Sequence, residues 1–215
     1  MGSPYINTWM ANAAFLSTES RGRGRPREFD MDAALDKSVR VFRERGYHAT
    51  SITDLTEAME LASGSVYKAF KDKRAVFLAA FDREAIVRGE KLQRIISTAK
   101  SGRDRIRNAL TFYAESSHGV EGKRGCLIVG TAAELATFDA EVGRRVTVAL
   151  RKSETLMVDL IRQGQADGSI PAAIDSKVTA RLMLCLLQGM RVIGKTGRKR
   201  TEMRALAAAA MKLLG

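Results

Sequence analysis

Residues 46–73, GYHATSITDLTEAMELASGSVYKAFKDK, read as two short helices joined by a tight turn. Ser51 supplies the start signal for the first helix. Its hydroxyl accepts an otherwise unpaired backbone N–H, and Asp54, three residues on, reaches back to complete a capping box. Ile52, Leu55 and Met59 form the inner stripe of that helix. The chain is expected to turn through Leu61, Ala62, Ser63 and Gly64 and to enter a second helix whose buried face is Val66 and Phe70, spaced four apart. Ser65, Tyr67, Lys68 and Lys71 are then left pointing outward. A face of hydroxyls, a phenol and ammonium groups suits a helix laid in a groove of DNA, where phosphates accept hydrogen bonds and base edges offer donors and acceptors.

Upstream of this unit, Met31 to about Arg45 carries Ala34, Leu35, Val39 and Phe42 at helical spacing, with Asp30 as a cap and Gly46 as a stop. Before it stands RGRGRPR, where Arg21, Arg23, Arg25 and Arg27 alternate with glycine and proline and cannot form a helix. Residues 21–29 are therefore expected to be an extended basic arm. Two readings of it are open: an arm that follows the backbone into the adjacent minor groove, or a solubilising tail. Residues 1–20 carry no charge before Glu19 and show no sustained period, so they are expected to be a leader outside the fold.

Composition agrees with an all-α architecture. The chain has 215 residues, 45% of them apolar, with only three prolines, and its β-branched residues are scattered rather than alternating. A net charge of +12 argues for a polyanionic partner, either nucleic acid or a membrane surface. No apolar run approaches the roughly 18 residues needed to span a bilayer. Cys126 and Cys185 lie far apart in apolar helical contexts, which resembles neither a disulfide framework nor a metal cluster, and a reducing cytoplasm is the expected location.

The stretch from Gly46 resembles the helix-turn-helix of TetR-family transcriptional regulators, whose pattern runs from a Gly-Tyr turn through a hydroxyl-capped helix to Gly-Ser/Thr-x-Tyr-x-x-Phe-x-x-Lys. Gly46, Tyr47, Thr50, Ser51, Gly64, Ser65, Tyr67, Phe70 and Lys73 fit it. Ala62 stands where Ser is usual and Ser63 where Lys is frequent. The resemblance implies a helix-turn-helix DNA-binding domain over residues 30–75 and a helical effector-binding and dimerisation bundle over 76–215, with about nine helices in all. It also implies a homodimer on an inverted-repeat operator in double-stranded DNA, acting as a repressor that a small-molecule effector releases. On this reading Ser51, Thr53, Tyr67 and Lys73 grip phosphates. Ser63, Gly64, Ser65 and Lys68 face base edges, and Arg23, Arg25 and Arg27 supply the arm.

In the second half, helices are expected from Val76 to before Ser101, and then at about 103–117, 126–136, 140–165, 175–194 and 201–213. A break is expected over Gly119 to Gly125. The last two helices are apolar over wide arcs, and their small residues, Ala180, Gly189 and Ala207 to Ala210, suit a helix pair that meets its copy across a dyad. Phe112, Tyr113, Cys126, Phe138 and Met157 are candidate effector-lining residues, each equally readable as core. Gly125-Cys126-Leu127 with Glu134 beyond it resembles a TetR subgroup in which this cysteine senses oxidants or electrophiles; a small packing residue is the other reading. Cys185 is expected to be packing.

Neither a cofactor nor a metal site is expected. The only histidines are His48 and His118, and no Glu-x-x-His pair, phosphate-cradling loop or nucleophile elbow occurs, which argues against an enzyme. The competing class is a sequence-indifferent basic protein that coats DNA. It explains the charge and leaves the large second half without a role.

Overall fold

The structure, a computed structural model, describes residues 29–215. The expected arm residues Arg23, Arg25 and Arg27 and the leader lie outside that range. Among the described residues all regular structure is helical: nine helices of seven or more residues, one six-residue helix and a closing 3-10 turn.

Helix α1 (Met31–Arg45) ends at Gly46, whose φ of 81° is the left-handed conformation that releases the chain into the turn. Helix α2 (Ile52–Met59) begins with the expected capping box: Asp54 N donates to Ser51 Oγ (3.0 Å) and Ser51 N to Asp54 Oδ2 (2.7 Å). It stops at Glu60, which takes a φ of 59°. Helix α3 (Ser63–Ala69) starts earlier than expected, so Ser63 and Gly64 form its first turn rather than the linker. Helix α4 (Lys73–Ser97), capped by Asp72, runs without interruption across the expected domain boundary at residue 75. Four apolar residues of α1, Ala34, Leu35, Val39 and Phe42, pack on α2 and α4 as their spacing predicted.

The second half follows as α5 (Gly102–Glu115), α6 (Gly119–Arg124), α7 (Leu127–Glu134), α8 (Ala140–Ala166), α9 (Ser176–Gly194) and α10 (Arg200–Ala210), closed by a 3-10 turn at Met211–Leu214. The Gly119–Arg124 segment, expected as a break, coils into one short helix. Ser101, Asp139 and Asp175 cap α5, α8 and α9 with side-chain oxygens. Helix α5 packs against α4, α8 and α10, and α8 against α9. Where α5 begins it meets α8 so closely that a Cβ on Gly102 would stand 2.1 Å from Gly164 N. Only glycine permits that approach. The resulting core contains Ile106, Leu110, Met157, Ile161, Met183 and Leu187, each fully buried.

Candidate nucleic-acid interface

The reading face rises from two buried anchors. Val66 is 0% exposed and Phe70 is buried, which sets the rotation of α3 and leaves the rest of its surface outward. Ser63, Gly64 and Lys68 are exposed, Tyr67 is 52% exposed and Ser65 half-buried. At the start of α2, Ser51 and Thr53 are exposed as well. The residues of α2 and α3 expected to grip phosphates and face base edges are thus exposed, apart from half-buried Ser65. Asp54 stays ionised: the Ser51 backbone N–H and hydroxyl, with Arg45, lower its pKa to about 2.

Lys73 departs from expectation. Its Nζ donates to the carbonyls of Tyr47 (3.1 Å) and Thr50 (2.9 Å) and lies 4.3 Å from the Tyr47 ring centroid. An ammonium has three donors, and these contacts engage it inside the protein. These two bonds make Lys73 an internal strut that ties the 46–50 turn to the start of α4. Tyr47 is held from the other side by Phe77, at 5.0 Å between ring centroids. Thr50, buried, donates its hydroxyl to Gly46 O at 2.6 Å.

Several contacts fasten the reading head to the second half. Glu134, at the end of α7, accepts from Tyr47 N (3.0 Å) and His48 N (2.8 Å), so one carboxylate satisfies both backbone donors of the turn. Arg43 of α1 donates from Nε (3.0 Å) and Nη2 (2.9 Å) to Gly125 O, at the foot of α7. Farther along, Arg74 at the start of α4 makes a two-pronged pair with Asp139 (2.7 and 3.0 Å) and reaches Glu141 at 3.0 Å. The Arg74 hydrogen bonds, followed by the α8 backbone N–H of Val142, lower the Asp139 pKa to about 2. These partners join residues far apart in the chain, so no local pattern announced Arg43 or Arg74. Glu134 was visible only as an acid following Gly-Cys-Leu.

The candidate effector residues divide. Phe112, Tyr113 and Cys126 are buried near one another's elements, with the Phe112 and Tyr113 rings 5.7 Å apart. Met157 is fully buried core. Phe138 is 86% exposed in the turn before α8, which corrects its expected place on an inner face. Cys185, expected to be packed, is exposed on α9. It shares that outer surface with Val178, Leu182 and Leu186, exposed apolar residues spaced four apart. Among the described residues no group of three or more His, Cys, Asp or Glu is placed to hold a metal ion, and no helix is long and apolar enough to cross a membrane.

Comparison with known proteins gives the class. Residues 34–80 match the model for bacterial regulatory proteins of the tetR family, and residues 102–210 match the tetracyclin repressor-like C-terminal domain. A cysteine-substituted form of the TetR-family transcriptional regulator CifR, solved with a 26-base-pair operator DNA, is 32% identical, with a TM-score of 0.77 over 87% of this chain and 98% of that one. The transcriptional repressor ComR of Escherichia coli (strain K12) is 27% identical over 194 residues, 90% of this chain and 92% of ComR. The repressor DhaR of Mycobacterium sp. (strain GP1) is 27% identical over 171 residues, 77% of this chain and 82% of DhaR. The chain belongs to the TetR family of transcriptional regulators, and its helix-turn-helix is a sequence-specific DNA-binding unit.

Proposed function

We propose that the protein is a cytoplasmic homodimeric repressor that binds an inverted-repeat operator and is released by a small-molecule effector held in its second half. The observation that carries this is the exposed polar face of α3 set on buried Val66 and Phe70. Ser63, Gly64, Ser65 and Lys68 face base edges, while Ser51, Thr53 and Tyr67 hold phosphates. Lys73 acts as a positioning residue, and Arg23, Arg25 and Arg27 extend the footprint. CifR, ComR and DhaR, named as an operator-bound regulator and two repressors, support this reading.

Two reading heads must stand about 34–36 Å apart to enter successive major grooves on one side of the duplex. The exposed apolar stripe of α9, with Leu206 exposed on α10, suits the surface that sets this spacing. Effector release then requires tighter effector binding to a mis-spaced dimer than to the DNA-competent one; about 1.4 kcal/mol of difference gives a tenfold change. No catalytic step is assigned to the chain.

The test is selection of genomic fragments by purified protein at about 150 mM salt, followed by footprinting of the retained sites. One short inverted repeat is the expected product. Uniform retention of all fragments would overturn the reading in favour of a sequence-indifferent DNA-coating protein.

A further inference from the structure

Arg191 is buried and Arg88 half-buried, and each carries guanidinium nitrogens that are sealed from solvent without a hydrogen-bond partner. Arg191, on α9, is 1% exposed, and its Nε and Nη1 have no hydrogen-bond partner. Only its Nη2 is satisfied, donating to Gly125 O at 2.6 Å. Arg88, on α4, has an Nη2 that is sealed from solvent and equally unpartnered. The Arg88 guanidinium lies 4.9 Å from the ring centroids of both Phe112 and Tyr113. Glu84, one turn earlier on α4, acts on Arg88 through space without forming an ion pair. Sealed guanidinium donors without partners are costly, so such a site favours an added anion.

Three neighbouring features favour the same charge. Helix α7 begins beside the pair with Cys126 as its N-cap residue, so the positive end of that helix adds to the local field. Burial pushes the Cys126 thiol up, but Arg88 and Arg191 beside it bring it below its usual range. Its thiolate balances at most one of the two guanidiniums. Thr131, one turn into α7, is 2% exposed and its hydroxyl has no partner. A cavity of about 280 Å³ opens from the reading-head side as far as Cys126 and Thr131, lined also by Gly130, Glu134 and Lys195; the two arginines are beside Cys126 but not on the cavity wall.

We propose that Arg88 and Arg191, at the foot of α7, form the receptor for the carboxylate of a small effector that enters through the cavity lined by Cys126 and Thr131. This rests on the second half being the effector domain. A carboxylate is the matching class because its two coplanar oxygens fit the fork of a guanidinium. The site is wired to DNA binding through Gly125 O, which accepts from Arg191 on one side and from Arg43 of α1 on the other. A carboxylate that draws Arg191 away from that carbonyl loosens the hold on α1, and operator affinity falls.

The probes are sodium acetate, sodium benzoate and sodium phosphate, against sodium chloride at matched ionic strength. Thermal unfolding reads binding, and fluorescence anisotropy of a labelled operator reads release. The carboxylates are expected to raise the wild-type midpoint above its chloride value and to weaken operator binding. Arg191→Met and Arg88→Met should raise the half-saturating carboxylate concentration at least tenfold. If one variant does not fold, the other carries the comparison. A wild type that holds its operator yet responds identically to carboxylate and chloride overturns the proposal and leaves the repressor reading standing. So do Arg→Met variants that respond like the wild type, or a response to phosphate alone. A carboxylate shift lost in both variants, in a protein that selects no operator, would support the site and overturn the repressor reading.

Discussion

At Lys68 and Tyr67, one helical position apart, DNA recognition separates into two chemistries. Lys68, exposed on α3, is proposed to face base edges, so Lys68→Ala should cost about 1–3 kcal/mol on the operator and relax preference at one base position. Tyr67→Phe removes one uncharged donor proposed to hold a phosphate. It should weaken operator and random DNA alike with an unchanged salt slope, which competition binding across a salt series would show. Lys73 behaves differently, because its ammonium is engaged with the Tyr47 and Thr50 carbonyls. Lys73→Met should lower stability by about 1–3 kcal/mol, visible in denaturant unfolding, with DNA affinity lost through the misplaced turn. An equal midpoint with weakened DNA binding would return Lys73 to the phosphate contacts. The inner stripes were legible because i, i+3 and i+4 spacing is local. The engagement of Lys73 was not, since its partners lie 23 and 26 residues upstream.

Between elements, coupling runs through α7 and the start of α8. Glu134 holds two backbone donors of the turn that precedes α2, and no other part of α7 contributes a side chain to that hydrogen bonding. Glu134→Ala should therefore weaken operator binding while α2 and α3 stay folded, and hydrogen exchange should locate the loosening at residues 46–50. Unchanged exchange there would remove Glu134 from the coupling. Arg74 and Asp139 make a second fastening, between α4 and α8. The Asp139 pKa is lowered from 3.8 to about 2, so its folded-state pKa is the depressed one. Its stabilisation is fully present above about pH 4 and is lost as pH falls towards 2. Asp139→Asn keeps a capping oxygen for α8 and removes the charge. Its thermal midpoint should lie below the wild type at neutral pH, with the gap closing between about pH 4 and pH 2. A gap that persists unchanged at pH 2 would show that the charge is not its source.

For the whole molecule, the exposed stripe of Val178, Leu182 and Leu186 is the feature a lone protomer leaves unexplained. Leu182→Glu with Leu186→Glu places like charges across a two-fold axis. The double variant should sediment as a monomer and bind the operator at least tenfold more weakly, with helicity retained by circular dichroism. A dimer that survives both charges would move the dyad elsewhere. Cys185 lies on this same outer surface. Its apolar neighbours in sequence had suggested core, because a helix face buried by a second copy carries the same residue types as one buried by its own chain.

The sequence by itself determined the helical class and, within a few residues, the starts of the long helices, since caps, stops and amphipathic spacing act locally. It also carried the family, through the motif from Gly46 to Lys73. Tertiary structure decided what spacing cannot express. It turned Lys73 into a strut, set Phe138 in solvent, brought Glu134 and Arg43 into the reading-head junction, and set Arg88 and Arg191 beside Cys126. Each of those outcomes depends on which helices cross and how closely. A lone arginine in an apolar run such as residues 186–193 shows that a charge enters the core, but only packing decides whether a partner waits for it there.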